Sequence, residues 1–377
     1  MRVLIVGAGP AGLALALALS RQGLGFRQVD RAAAPAAYSR ALGIQARTLE
    51  TLAPLGVAAP IAAVALRPLG VVFGLGPAAP TIRLSHRAHP GFPSMLLLPQ
   101  TETERLLAEA LAATGAPPPE RGVALVALDA TTGTATLRHP DGREEVAQFD
   151  HVIGCDGAHS SVRKAAGIGF EGAAYEEQCV LADGLIEGLE PAHLHIMPGR
   201  DSGSFYFPLP GGRWRGVSMR PPGGAPPAEG DLATLQHPGL RFVAADWWSA
   251  FRISHRIATR FRQGRVLLAG DAAHIHSPAG GQGMNLGIQD ACALARALPG
   301  GEAALEAWAA ERRRIAALVV GRTDRLTALV LGRRPAMRAL RAVALRLLPH
   351  LPPARQRLER ALAGMDYPAV AVADQGR

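Results

Sequence analysis

Cysteine, lysine and long apolar runs are all scarce in this sequence, and each scarcity argues against a class of protein. The 377 residues include three cysteines, Cys155, Cys179 and Cys292. They are too few and too widely spaced for a disulfide framework or a zinc site, so we expect a metal-free protein in a reducing cytoplasm. Hydrophobic residues make up 48% and charged residues 19% of the chain, which predicts a folded protein rather than a disordered one.

One apolar run, residues 3–19, follows Arg2 and has the length of a signal peptide. The same residues contain a complete phosphate-binding turn, so we interpret the run as a buried strand followed by a helix. No other stretch approaches the ~20 apolar residues needed to span a bilayer, and we predict no integral membrane segment.

The formal net charge is +9, and its distribution bears on whether nucleic acid is a partner. Thirteen arginines lie between Arg312 and Arg360, against two acids, Asp324 and Glu359, so the excess belongs to one C-terminal segment. Lys164 is the single lysine, a skew that indicates coding bias as much as phosphate contacts. We therefore predict no nucleic-acid binding.

The first thirty residues have the pattern of a βαβ unit. Residues 3–6 form a short, branched, apolar run, as in a central parallel strand. Residues 11–22 form an Ala- and Leu-rich helix, and a second strand at 26–29 leads to Asp30. This pattern predicts a nucleotide-binding α/β domain.

Short strands broken by Pro and Gly appear farther along the chain. Strands at 204–209 and 213–219 flank Pro210-Gly211-Gly212, which predicts a hairpin. From Asn285 onward the sequence is helical in character. We therefore predict an α/β fold in which antiparallel strands are inserted between nucleotide-binding segments.

The motif Gly7-Ala8-Gly9-Pro10-Ala11-Gly12 fits the dinucleotide fingerprint, because it follows a strand and opens a helix. Gly7 permits the tight turn, Gly9 lets a pyrophosphate approach the backbone, and Gly12 allows close packing of helix on strand. The helix N-terminus offers N–H groups to the phosphates. Asp30 stands where a carboxylate can accept hydrogen bonds from a ribose.

Two further motifs each follow a predicted strand. The first includes Asp156 and Gly157. These residues could form a purely structural Asp-Gly turn that is capped by serines, but a turn and a binding role can coexist. The second places Gly270 and Asp271 after a strand at 266–269. Asp271 could bind ribityl or ribose hydroxyls, and the Gly-rich run that follows leaves room for a flat ring beside a helix N-terminus.

Together these three motifs resemble those of the class A flavoprotein monooxygenases, the para-hydroxybenzoate hydroxylase type. The resemblance covers residues 1–298 and extends more loosely to Tyr367. It implies a Rossmann-like FAD-binding domain with an interleaved, mainly antiparallel β-sheet substrate domain and C-terminal helices. The implied limits are 1–65, 100–171 and 262–300 for the FAD-binding domain, 66–99 and 172–261 for the substrate domain, and 301–377 for the helical segment.

The resemblance also implies the residues that contact FAD, and Asp156 and Gly157 among them would serve NAD(P)H as well. Pro278 would lie near the flavin C4a, and we assign Pro278 and Gly281 to the reactive loop. The complete set of predicted cofactor-binding residues is Gly7, Gly9, Pro10, Ala11, Gly12, Asp30, Arg31, Arg40, Gln100, Asp156, Gly157, Gly270, Asp271, Pro278, Gly280, Gly281, Gln282, Gly283, Met284 and Asn285.

The implied activity is hydroxylation of an aromatic or polycyclic small molecule with NAD(P)H and O2, through a flavin C4a-hydroperoxide. We predict substrate-cavity walls at Phe205, Phe207, Trp214 and Met219, although aromatic residues in strands are more often plain core. No acid or base is recognisable in the sequence. By residue type alone the candidates are His86, His195, Tyr206 and His255, for which a structural role is preferred.

Several alternatives stay open on the sequence. A reductase or halogenase could share the fold, although Trp247-Trp248 does not extend into the halogenase Trp-x-Trp-x-Ile-Pro motif. An NAD-dependent dehydrogenase would leave the Gly270-Asp271 motif without a purpose. A non-catalytic FAD-binding or membrane-surface protein could use the basic C-terminal segment to bind its partner or the membrane. For that segment we prefer the simpler interpretation of an amphipathic helix packed on the core. That segment alternates apolar and basic residues, namely Leu340, Val343 and Leu347 with Arg338, Arg341 and Arg346. Since the chain ends at Arg377, we expect no thioredoxin-like C-terminal domain.

Overall fold

The computed structural model describes most of the chain. The described residues are 1–199, 203–220, 223, 227–277, 281–330, 339, 343, 347 and 350–368. Two predicted site residues, Pro278 and Gly280, lie outside them. Much of the predicted amphipathic C-terminal helix, including Leu340, also lies outside the described residues.

The helices and strands are numbered here in chain order. The described helices are α1 (Pro10–Arg21), α2 (Ala46–Leu52), α3 (Ala58–Val64), α4 (Gln100–Ala112), α5 (Ser161–Ala165), α6 (Gly283–Ala297), α7 (Gly301–Val330) and α8 (Pro352–Leu362). The strands of the first half are β1 (Val3–Val6), β2 (Phe26–Asp30), β3 (Gly43–Gln45), β4 (Gly70–Phe73), β5 (Thr81–Arg83), β6 (Met95–Leu97), β7 (Glu120–Arg121), β8 (Ala124–Asp129), β9 (Thr134–Arg138), β10 (Glu144–Gln148) and β11 (His151–Gly154). Those of the second half are β12 (Phe170–Glu187), β13 (His193–Pro198), β14 (Gly203–Leu209), β15 (Arg213–Arg220), β16 (Arg241–Ala258), β17 (Arg262–Gln263), β18 (Val266–Leu268) and β19 (His274–Ile275).

A six-stranded sheet carries the predicted nucleotide-binding unit. Its order is β17-β18-β11-β1-β2-β7, and β1 pairs in parallel with both β2 and β11. All four residues of β1 are buried, which explains why the strand is uniformly apolar. Helix α1 buries its Ala and Leu residues continuously from Gly12 to Leu19, so the predicted βαβ opening is confirmed.

An eight-stranded sheet forms the second layer, in the order β19-β16-β12-β15-β14-β13-β4-β5. Its neighbouring strands are antiparallel except for the parallel pair β13 and β4. The predicted hairpin around Pro210 is confirmed, since β14 and β15 pair across that turn. Strands β12 and β16, each of 18 residues, run side by side through most of this sheet.

The two large sheets draw on largely separate segments of the chain. Strand β19 is an exception, because it follows the six-stranded sheet in sequence but pairs with β16. The sheets therefore support an α/β fold with inserted antiparallel strands, and the predicted domain limits stay a prediction. Two smaller sheets, β10-β9-β8 and β3-β6, complete the described strands.

Helix α8 is joined to the rest of the molecule through Glu359. Its carboxylate accepts hydrogen bonds from the Oγ atoms of Ser85 at 2.7 Å and Ser94 at 2.8 Å. The backbone N–H groups of Ser85 and Arg87, both at 3.2 Å, donate to it as well. Burial raises the pKa of Glu359, but these donors outweigh burial and leave its pKa below the ordinary value.

We predict that Glu359→Ala lowers the free energy of unfolding at pH 7 by about 2 kcal/mol, because buried donors to a charged acceptor lose their partner. Since the native pKa is lowered, this stabilisation is present above the unfolded pKa of about 4.3 and is lost as the pH falls below it. Urea unfolding of both proteins at pH 7 and at pH 3.5 measures the difference. Glu144→Ala, which removes an exposed pair with Arg138, is the control and should change stability by less than about 1 kcal/mol. An equal difference at both pH values would contradict the prediction.

Candidate functional site

The dinucleotide turn lies where β1 passes into α1. Gly7 has a φ of +112°, and a Cβ added to it would lie 2.3 Å from the carbonyl oxygen of Cys155. A Cβ on Gly12 would lie 2.1 Å from the carbonyl oxygen of Gly7. Both positions therefore require glycine, because backbone atoms occupy the space of a side chain.

Gly9 differs from the other two glycines of the turn. A Cβ added there would meet no atom closer than Glu104 Oε1, at 3.9 Å. The open space lies at the N-cap of α1, where no side chain caps the helix. An anion can approach the first N–H groups of α1 at this point, as the fingerprint predicts for a pyrophosphate.

Asp30 and Arg31 follow at the end of β2. In this structure the carboxylate of Asp30 accepts hydrogen bonds from Ala8 N at 2.7 Å and Ala32 N at 2.8 Å. It therefore holds the Gly-rich turn, and its remaining lone pairs leave capacity for ribose hydroxyls. Arg31 is exposed. The ribose role of Asp30 stays a prediction.

The Asp156-Gly157 turn is confirmed as a helix cap. Asp156 accepts hydrogen bonds from Ser161 N at 2.6 Å, Ser161 Oγ at 2.8 Å and Val162 N at 3.2 Å. Ser160 Oγ accepts from Arg163 N at 2.9 Å. These contacts engage Oδ2 of Asp156, while its buried Oδ1 has no hydrogen-bond partner among the described residues. The role of Asp156 toward FAD or NAD(P)H stays a prediction.

Arg163 links this turn to the third motif, a role that the sequence did not reveal. Its Nη1 donates to the carbonyl oxygen of Ala272 at 2.8 Å, and its Nη2 donates to that of Ala158 at 3.0 Å. The guanidinium lies 3.8 Å over the ring of Phe170. Arg163 is 5% exposed, and its guanidinium is held by two carbonyl oxygens and an aromatic ring. It therefore fixes the distance between the two motifs.

The Gly270-Asp271 turn packs between helices α1 and α6. Gly270 has a φ of +62°, and a Cβ on it would lie 3.1 Å from Ala11 Cβ at the start of α1. A Cβ on Gly287, in α6, would lie 3.0 Å from Gly270 Cα. Close backbone packing therefore brings Asp271 to the junction of α1 and α6.

Asp271 presents its side chain to solvent at this junction. Its side chain is exposed, yet the protein around its carboxyl raises the pKa through desolvation, opposed by the charges of His274 and Arg40. Both properties fit a residue on the floor of a cleft that a ligand can fill. A polyol with hydrogen-bond donors fits this carboxylate.

Asn285 fixes the loop that precedes α6. Its Oδ1 accepts from Gln45 N at 2.9 Å, while its Nδ2 donates to the carbonyl oxygens of Gly43 at 2.8 Å and Gly281 at 2.6 Å. Gly281 has a φ of +61°, and among the described residues an added Cβ there would meet only Gly43 Cα, at 3.9 Å. Gly281 is therefore held near β3, and the described residues leave open space beside it.

The neighbours of Asn285 contact the C-terminal end of the described chain. Gln282, at the N-cap of α6, donates to the carbonyl oxygen of Ala361 at 3.3 Å. The hydroxyl of Tyr367 donates to Gln45 Oε1 at 3.2 Å and Gln282 Oε1 at 3.3 Å. Gly283 begins α6, and Met284 packs against the main core. Tyr367 is thus a site residue that the sequence motifs did not indicate.

Arg40 and Gln100 lie at another wall of the same region. Arg40 is exposed and its guanidinium is 4.3 Å from the centre of the Phe251 ring. Gln100 starts α4, where its backbone N donates to Ala41 O at 3.1 Å and its Nε2 donates to Glu104 Oε1 at 2.7 Å. Burial raises the pKa of Glu104, the acid that also faces Gly9.

The eight-stranded sheet separates the four predicted cavity walls into two groups. Phe205, Phe207 and Met219 share one face and pack in one hydrophobic cluster. Trp214 lies on the opposite face, 4% exposed, in a core cluster with Tyr206. The structure therefore brings three of the four together and leaves Trp214 in plain core.

Strand β16 adds aromatic residues to the first group. Phe251 and Trp247 are partly buried against Met219 and its neighbours, and the Trp247 ring stacks on Tyr38 with centroids 5.3 Å apart. The sequence did not indicate them, because the alternation in this strand is interrupted by register shifts.

The four candidate acids and bases all have structural partners. His86 Nε2 lies 2.8 Å from Pro68 O, and His195 Nε2 lies 3.0 Å from Glu190 O; burial lowers the pKa of both. Tyr206 donates to Leu235 O at 2.9 Å, and burial raises its pKa. His255 packs edge-on against Tyr175. These contacts support the structural role preferred from the sequence.

The site thus joins a dinucleotide turn, an acid-bearing Gly turn and a second helix N-terminus, which together fit FAD. The sequence profile of the FAD binding domain family matches residues 1–211 and 230–323. The chain belongs to this family and, within it, to the FAD-dependent class A aromatic hydroxylase group. The predicted resemblance, fold class and FAD cofactor are confirmed.

Particular relatives define the similarity further. Pentachlorophenol 4-monooxygenase of Sphingobium chlorophenolicum is 37% identical over 310 residues, which cover 77% of this chain and 56% of that protein. 6-Methylpretetramide 4-monooxygenase of Streptomyces rimosus is 36% identical over 394 residues, covering 99% of this chain and 70% of that protein. The solved structure of anhydrotetracycline hydroxylase from Streptomyces rimosus is 34% identical, with a TM-score of 0.78, and the match covers 97% of this chain and 77% of that one. The chain therefore spans little more than half of the first of these relatives.

Among the described helices, none is long and apolar enough to cross a membrane. The three cysteines, Cys155, Cys179 and Cys292, are free thiols. No cluster of metal ligands occurs among the described residues.

We predict that Gly9→Ala and Gly12→Ala affect different properties of the protein. Gly9→Ala leaves the apoprotein stable, because its Cβ enters open space, but weakens FAD binding by roughly tenfold or more, since that space faces the phosphates. Gly12→Ala forces backbone atoms apart and should destabilise the apoprotein by about 1–3 kcal/mol. Thermal unfolding without FAD and fluorescence titration with FAD measure the two effects. Unchanged FAD affinity in Gly9→Ala would remove this turn from the phosphate site.

Proposed function

We propose that this protein is a monooxygenase that uses NAD(P)H and O2 to hydroxylate a neutral, polycyclic phenolic molecule such as an aromatic polyketide. The observation that carries the proposal is the position of the cleft. Asp271 and Arg40 would form its cofactor side, and Phe251, over which Arg40 lies, belongs to the aromatic cluster of the eight-stranded sheet. Bound FAD, once reduced by NAD(P)H, would supply the oxygen-activating chemistry.

The shape of the aromatic cluster favours a fused-ring substrate. Phe205 and Phe207 belong to β14, Met219 to β15 and Phe251 to β16, so the apolar face extends across several strands. Broad apolar surfaces with few polar groups suit flat, uncharged ligands. The similar Streptomyces rimosus proteins carry the names of tetracycline-type substrates, which supports this class.

Arg215 argues against a small carboxylated substrate. It lies on the same sheet face as Phe207, its cross-strand neighbour, and is 2% exposed. Its guanidinium donates to both carboxylate oxygens of Asp183, at 2.8 and 2.7 Å, and to the carbonyl oxygen of Arg40 at 2.8 Å. Since its donors are already engaged, Arg215 offers little to a benzoate-like anion.

The protein residues would act by binding and orientation. The N-terminus of α6 would stabilise negative charge on the bound ring system, and the loop at Gly281 would keep water from it. Asp271 would hold the ribityl chain. The substrate would lie against the aromatic cluster, with its reacting ring toward this loop.

The direct test is turnover with purified, FAD-loaded protein. NADH or NADPH oxidation is measured across a panel of polycyclic phenols, monocyclic phenols and hydroxybenzoates, together with hydroxylated product and H2O2. We expect product from the polycyclic phenols and little from the benzoates. Oxidation without oxygenated product across the panel would favour a reductase, and chlorination in the presence of chloride would favour a halogenase. No oxidation of either coenzyme would favour a non-catalytic flavoprotein.

We predict that Gly281→Asn uncouples coenzyme oxidation from hydroxylation. Asn tolerates a positive φ better than most residues, so the fold is kept while a side chain enters the space beside the loop. The expected result is bound FAD, continued NAD(P)H oxidation, less product and more H2O2 for each coenzyme consumed. Gly142→Asn, at a similar φ of +85° in an exposed turn, is the matched control and should keep the parent ratio. If Gly281→Asn also keeps that ratio, the loop does not shape the reactive cleft.

A further inference from the structure

A buried ionic network lies directly beneath the Gly270-Asp271 turn. Its centre is Asp290 on α6, whose side chain is fully buried. Asp290 Oδ1 accepts from Arg312 Nε at 2.6 Å, and Asp290 Oδ2 lies 2.6 Å from His274 Nε2. Arg312 comes from α7 and is 2% exposed. Three parts of the chain thus meet at one carboxylate.

This carboxylate holds both ends of the turn that presents Asp271. At the first end Gly270 N lies 3.4 Å from Asp290 Oδ2, and at the second end His274 contacts the same oxygen. Trp308 Nε1, also from α7, donates to the backbone oxygen of Asp290 at 3.2 Å. Asp290 therefore fixes the turn to α6 and α6 to α7.

Stability alone explains such a network poorly. Desolvating an ion pair costs about as much as its attraction returns, and apolar replacements of buried pairs are often neutral or stabilising. Burial raises the pKa of Asp290, but the charges of Arg312 and His274 outweigh it and leave the carboxyl ionised. The network therefore maintains defined charges close to the cofactor cleft at neutral pH.

The field of these charges reaches groups that border the cleft. Desolvation is the main influence on the pKa of Asp271, and the charge of His274 acts on the same carboxyl. Tyr367, which donates to Gln282 at the start of α6, has its pKa raised by burial and is affected by both Arg312 and Asp290. The network thus acts electrostatically on two sides of the site.

We propose that Asp290 and Arg312 are positioning residues that balance the charge beneath the flavin and thereby set its reduction potential. Reduced flavin is an anion at neutral pH, so an uncompensated positive charge nearby favours the reduced form and a negative charge opposes it. Asp290 and Arg312 cancel each other in the parent protein. The inference rests on FAD binding and is independent of the proposed substrate.

The test is the midpoint potential of bound FAD in three charge variants, measured without substrate. Asp290→Asn leaves Arg312 uncompensated and should raise the potential. The dissociation constant of oxidised FAD divided by that of reduced FAD should then rise on the order of tenfold. Arg312→Gln keeps a donor for Asp290 but removes the charge, and should lower the potential. The double variant should return to the parent value.

A loosened fold would not give shifts of opposite sign that cancel, which separates this proposal from a purely structural role. Glu145→Gln, which disrupts a pair between β10 of the small three-stranded sheet and Arg27 of β2, is the control and should leave the potential unchanged. If Asp290→Asn does not fold, Arg312→Gln and Arg312→Lys decide the question. Arg312→Gln, which removes the positive charge, must lower the potential. Arg312→Lys, which keeps that charge, must leave the potential unchanged. Shifts of the same sign, or shifts below about twofold in folded single variants, would overturn the proposal, whatever the outcome of the substrate panel.

Discussion

Close contact between backbone segments at glycine is the constraint on which the site depends. Gly12 packs on Gly7, and Gly287 packs on Gly270, with no space for a side chain in either contact. These contacts bring the starts of α1 and α6 together with the Asp271 turn between them. Two helix N-termini and one acid then lie close together, an arrangement suited to a ligand that carries phosphates, hydroxyls and an anionic ring.

The charges around this cleft are held in place from behind. Asp30 holds the dinucleotide turn through Ala8 N, while Arg163 and Asp290 hold the Asp271 turn through Ala272 and His274. Each of these residues is tied by charged hydrogen bonds, which are about twice as strong as neutral ones. The binding motifs are therefore held by ionic residues, of which Arg163 and Asp290 lie outside the predicted cofactor-binding set.

The sequence predicted the parts of the site that depend on local pattern. A strand, a glycine turn and a helix are specified within about a dozen residues, so the dinucleotide turn and α6 were found close to their observed positions. Strands β12 and β16 were not found, because they are long, partly exposed and interrupted by register shifts. Tyr367, Phe251 and Asp290 were not found because their roles arise from contacts between distant segments, which no local pattern records.

The placement of Trp214 shows how register decides function in a sheet. The local sequence does not distinguish Trp214 from Phe207 as a cavity wall, because both are aromatic residues in the strands of the same hairpin. Trp214 pairs with Pro208, while Phe207 pairs with Arg215, so the two aromatic residues point to opposite faces. One face meets the cofactor side through the contact of Arg215 with Arg40 O, and the other packs into core with Tyr206. Only the pairing across the hairpin determines which aromatic residue can meet a substrate.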